Sequence, residues 1–76
     1  MNEILIEVRF IEQPSYQKIW LDPDYIISDF IQDLNEAENR IRRINEVYLC
    51  EEERFLNPKQ TFYENQVCFM DHLIVI

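Results

Sequence analysis

Ile27, Phe30, Ile31, Leu34 and Ile41 fall at i, i+3, i+4, i+7 and i+14, which is the apolar stripe of an amphipathic helix. Asp29, Asp33, Glu36 and Arg40 lie off the stripe. No other stretch has this period, so one helix must cover whatever sheet the rest of the chain builds. The helix is expected to start after the D-P-D of residues 22 to 24, with Asp24 as a candidate cap, and to end between Asn39, which tolerates left-handed backbone, and Arg43. Arg40, Arg42 and Arg43 then read as compensation of the dipole at its C-terminal end.

The flanking segments alternate. From Glu3 to Phe10, Ile4, Ile6, Val8 and Phe10 share one face and Leu5, Glu7 and Arg9 the other, the period of a half-buried strand. After an E-Q-P-S turn, Tyr16 to Leu21 repeats the pattern, with Ile19 and Leu21 on one side and Tyr16, Lys18 and Trp20 on the other, completing a hairpin. Val47 to Glu51 reads as a third strand, Val47 and Leu49 opposing Tyr48 and Cys50, and Leu73 to Ile76 as the last. This order predicts an α+β fold, a mixed four-stranded sheet packed on one helix. The chain contains no glycine, so its turns need other residues; Pro14, Pro23 and Pro58 mark three of them.

Seventy-six residues suggest one domain spanning 1–76, and a chain this short buries only about 60% of the surface its unfolded form exposes. Apolar residues at 47% nevertheless exceed what a disordered acidic chain carries. The formal net charge of -8 repels phosphate backbones, so no nucleic acid is expected as a partner. Residues 1 to 38 hold nine acids and two bases, giving -7, against six acids and five bases, giving -1, in the remainder. The acidic half reads as a solvated surface, with docking of a basic partner as the alternative. Neither a signal peptide nor a membrane-spanning run is present in the sequence, and Cys50 and Cys68, both in apolar surroundings, read as small fillers. A cytoplasmic location without membrane insertion is the expectation.

From Leu56 onward the residues resemble the C-terminal third of ubiquitin. Leu56, the polar turn at Asn57 to Lys59, Thr61 followed by Phe62, Glu64, Val67, Asp71 and the alternating Leu73 and Val75 all match in kind and spacing. Upstream, Leu21, Asp22 and Pro23 with Ile27, Phe30 and Leu34 are similar to the strand-to-helix junction of the same family. The resemblance implies the β-grasp fold, in which the first and last strands lie parallel in the centre of the sheet. It also implies that LIVI at residues 73 to 76 is a central strand. Ubiquitin-type modifiers and sulfur carriers end in a flexible Gly-Gly tail, which this sequence lacks, so conjugation is not expected. The sequence looks most like the small YukD-type bacterial ubiquitin-like proteins associated with type VII secretion.

Little in the sequence points to chemistry. A single helix filling the concave face of a small sheet leaves little room for a substrate cavity, so no catalytic residue and no cofactor are expected. Cys50, Cys68, Asp71 and His72 are ligand types without metal spacing, and no metal is assigned. Glu51, Glu52 and Glu53 lack the alternation and glycine of a calcium loop and read as a solvated turn. The informative feature is the outer face of the sheet. With Leu73 and Val75 toward the helix, His72, Ile74 and Ile76 face outward beside Tyr48 and Cys50, and Trp20 lies farther across. A sheet face rich in such residues suggests a protein-binding surface, although their β-propensity also suits an exposed strand. The resemblance points the same way, since the family's recognition face includes the positions of Cys50 and Ile76. A non-enzymatic, non-conjugated interaction module is therefore expected. The alternatives are a small structural subunit of a multicomponent enzyme such as a monooxygenase, and an acidic nucleic-acid mimic.

Overall fold

The computed structural model describes residues 2–38 and 42–76. The first two alternating segments form β1 (Ile4–Phe10) and β2 (Gln17–Leu21), an antiparallel hairpin with Ile4 opposite Leu21 and Val8 opposite Gln17. The helical stripe forms α1 (Ile27–Glu38). Three strands follow: β3 (Val47–Leu49), β4 (Arg54–Phe55) and β5 (His72–Val75). The sheet order is β2-β1-β5-β3-β4, with β5 parallel to β1 and antiparallel to β3.

The sheet has five strands where the sequence predicts four. The addition is β4, two residues that fold back on β3 through the turn at Glu51 to Glu53, with Tyr48 opposite Phe55. Two residues cannot show an alternation, which is why the pattern passes over them. That turn also ends β3 at Leu49, short of the predicted Glu51.

Alternation settles the core. Ile6, Val8 and Phe10 of β1, Val47 and Leu49 of β3, and Leu73 and Val75 of β5 are buried against Ile27, Phe30 and Ile31 of α1. Phe62, fully buried, stacks edge-on against Phe30 at 5.2 Å between ring centroids, and Tyr25 closes the group at 5.7 Å from Phe30.

The helix start differs from expectation. Asp24 is not the cap: its N–H is held by the Asp22 carboxylate at 2.9 Å, a turn that precedes the helix. The helical N–H groups of Ile27 and Ser28 donate instead to the carbonyls of Gln60 and Pro58, at 3.0 and 2.9 Å. Donors left over at a helix start are thus satisfied by a distant loop. At the other end no base stands in the last described turn, and Arg42 and Arg43 are exposed past it. Asn39, Arg40 and Ile41, predicted at the helix end, lie outside the described residues. The side chain of Asn35 accepts from Ile44 N–H at 2.8 Å and donates to its carbonyl at 2.9 Å, fixing the approach to β3.

With no glycine, left-handed backbone among the described residues falls to Glu53 (φ 50°), Gln66 (φ 61°) and Met70 (φ 67°). The loop before β5 is held by Asn65, whose buried side chain accepts from Asn57 N–H and donates to the carbonyls of Asn57 and Thr61. Thr61 and Glu64 add a reciprocal pair in which each side chain accepts from the other's N–H at 2.9 Å, the geometry of a capping box.

Candidate protein-binding face

The outer surface of the sheet is assembled from residues whose neighbours on either side point into the core. Strand pairing puts them in rows. Ile74 of β5 lies opposite Arg9 of β1 and Tyr48 of β3, and Tyr48 lies opposite Phe55 of β4. The Tyr48 and Phe55 rings meet edge-on at 5.1 Å, with Phe55 half exposed. Ile76 carries the outward alternation one step further, and its N–H and carbonyl are tied to Glu46. Tyr48, Phe55, Ile74 and Ile76 thus form an apolar group at one side of the face.

A second row is polar. His72 lies opposite Glu7 of β1, and its carbonyl accepts from Cys50 N–H at 3.0 Å. The imidazole is held on both sides: Nδ1 is 2.5 Å from Glu51 Oε2 and Nε2 is 2.9 Å from Glu7 Oε2. Glu51 also accepts from the backbone N–H of His72 at 2.8 Å. Tyr16 stands edge-on to the His72 ring at 5.0 Å, and the Arg9 guanidinium lies over Tyr16 at 5.5 Å. The Tyr16 hydroxyl is 3.8 Å from Cys50 Sγ.

These contacts set the ionisation of the row. The hydrogen bond to Glu51 raises the His72 pKa above its ordinary value, and the charges of Glu51 and Glu7 add to it against an opposing effect of burial. For Glu51, burial pushes the carboxyl up, yet the bonds from the His72 ring and backbone outweigh it and hold the pKa below the ordinary value.

Of the residues singled out in the sequence, the fold therefore gathers Tyr48 of β3, His72 and Ile74 of β5, and Cys50 and Ile76 just past the ends of those strands. It separates Trp20, which is on β2 opposite Leu5 and largely exposed, at the far side of the face. His72 is engaged by two carboxylates, so it enters the face as part of a charged group. Sequence reasoning missed Phe55, for the reason that hid β4. Of the two cysteines read as small fillers, Cys50 is half-buried, on the outer face where the alternation put it, and Cys68 is exposed, which a filler is not. Cys68 N–H donates to the Asp71 carboxylate at 2.7 Å. Among the described residues no group of three or more His, Cys, Asp or Glu side chains is placed to hold a metal ion. No helix among them is long and apolar enough to cross a membrane.

No protein-family model matches the chain, and no curated protein matches it. Solved structures do. The EccD5 ubiquitin-like domain from Mycobacterium xenopi is similar with a TM-score of 0.76 and 17% identity, over 100% of this chain and 94% of that one. Caldiarchaeum subterraneum ubiquitin gives a TM-score of 0.75 at 12% identity, over 99% and 92%. The fold is ubiquitin-like. A chain of the toluene 4-monooxygenase HD complex shares it at a TM-score of 0.75 and 10% identity, covering 97% of this chain and 96% of that one. Identities this low speak for the ubiquitin-like fold alone.

Proposed function

We propose that this chain is a non-enzymatic protein-interaction module that binds its partner through the outer face of the ubiquitin-like sheet. The observation that carries this reading is the group of Tyr48, Phe55, Ile74 and Ile76, apolar side chains from three strands standing together on the face away from the helix. Apolar surface in that position is stabilised by contact with another protein. The finer reading is an accessory component of bacterial type VII secretion, acting in the cytoplasm, as the likeness to YukD-type proteins suggests. The fold shared with the EccD5 domain over the whole chain supports a ubiquitin-like module of this size.

Ile74→Asp tests the face. In the free protein the carboxylate stays hydrated, whereas in a complex it loses water without gaining a partner. The substitution should leave the fold intact and weaken partner capture about 30-fold, the loss of an about 2 kcal/mol hot-spot contact. The measurement is affinity capture from native lysate with wild type and variant side by side, with circular dichroism of both. A folded Ile74→Asp protein that retains its partner unchanged contradicts the reading.

The monooxygenase likeness favours a second reading, a subunit buried permanently against a larger enzyme. A permanent subunit expressed alone should self-associate, whereas a transient adaptor should be monomeric in sedimentation.

A further inference from the structure

We propose that Glu7, His72 and Glu51 form a proton-operated clamp that fixes the β3–β4 turn to the centre of the sheet. Hydrogen-bond capacity decides the protonation state of the ring. Both ring nitrogens of His72 lie within bonding distance of carboxylate oxygens, and an ionised carboxylate only accepts. Each nitrogen must therefore carry a proton, so the geometry belongs to the imidazolium. A neutral ring has one N–H and can serve one carboxylate, leaving the other facing a nitrogen lone pair.

Loss of the proton has a structural address. Glu51 is the first residue past Cys50 in the turn that carries the chain into β4, and its carboxylate takes both the ring and the backbone N–H of His72. Glu7 anchors the opposite side from β1. Around the ring stand Glu7 and Arg9 from β1, Lys18 of β2 opposite Glu7, Tyr16 before β2, and Cys50 and Glu51 from the turn. Arg9 is engaged by the Tyr16 ring and by the carbonyl of Gln13 at 2.9 Å. With His72 neutral, the repulsion between Glu7 and Glu51 is no longer offset by a cation between them, and in the tautomer that keeps its proton on Nε2 the turn loses one of its ties to β5. Since Phe55 follows this turn, the clamp also sets the edge of the apolar group; that consequence rests on the binding role proposed for the face.

The test uses the free protein and the proton as its probe. Long-range 15N–1H correlation spectra across pH should show both His72 nitrogens protonated at pH 6, with a midpoint above the ordinary value of 6.5. Backbone amides of residues 50 to 54 should shift with the same midpoint. Glu51→Gln should lower that midpoint and flatten the turn's response, and Glu7→Gln, which leaves the turn's own sequence intact, should lower it independently. A His72 midpoint at or below the ordinary value, or turn amides that stay still while His72 titrates, overturns the clamp. Neither outcome depends on a partner, so failure here is distinct from failure of the binding reading.

Discussion

Asn65 uses one side chain for three hydrogen bonds at 3% exposure, joining the turn at Asn57 to the carbonyl of Thr61. Removing it takes the acceptor from Asn57 N–H and one of two donors from each of the carbonyls of Asn57 and Thr61, which keep the backbone N–H groups of Gln60 and Asn65. Asn65→Ala should therefore cost about 1 to 3 kcal/mol, measured by urea denaturation, the range for one backbone group left without its partner. The sequence gives no hint of this role, because an asparagine between Glu64 and Gln66 looks like ordinary loop polarity. The left-handed positions were equally hidden. Absence of glycine shows that other residues must make the turns, and proline marks three, but nothing local distinguishes Gln66 or Met70 as residues that will take positive φ.

Among the elements, β5 bears most of the sheet's integrity, since it is hydrogen-bonded to β1 on one side and β3 on the other. Leu73 is fully buried and Val75 nearly so. Leu73→Ala should destabilise by about 2 to 5 kcal/mol through lost burial and the cavity left behind. For a domain of this size that approaches the whole of its stability, so thermal melts should show a large fall or outright unfolding. A melt unchanged from wild type would mean that the strand's facing is wrong. This facing was legible because a period of two assigns Leu73 and Val75 together, and the same logic gave β1, β2 and β3, the last with two residues too many. The helix was legible in its stripe and less so in its boundaries. Its N-terminal donors are met by Pro58 and Gln60, some thirty residues downstream, a pairing that local capping rules cannot anticipate. The candidate face was half legible: strand alternation gave Ile74 and Tyr48, while Phe55 needed a pairing with no sequence period, and the carboxylates around His72 needed the register between strands.

For the molecule as a whole, pH dependence should have distinct limbs. Glu51, with its folded pKa held down, contributes stability that is present above its unfolded value and lost as pH falls through the folded one. His72, with its pKa held up, contributes stability that is full below its unfolded value and lost as pH rises through the folded one. A further limb belongs to Tyr25. Burial, the hydrogen bond it donates to Asp33, and the charges of Asp33 and Asp29 push its pKa up from 10.0 to about 12. Its contribution is therefore intact below pH 10 and disappears as pH climbs toward about 12. Tyr25→Phe should flatten the decline of stability over that alkaline interval without altering the limb set by His72, as read from urea midpoints collected across pH.

The placement of β5 between β1 and β3 also governs when the structure can exist. During synthesis the β1–β2 hairpin emerges early, but the side of β1 that will receive β5 stays bare until residue 75 has been made. Until then β3 has no partner on its inner side either. Pairings of such long sequence separation come late and slow the search, and an unpaired strand edge can recruit other chains while it waits. The slot for the central strand thus stays open in the nascent chain until residues 72 to 75 have been made.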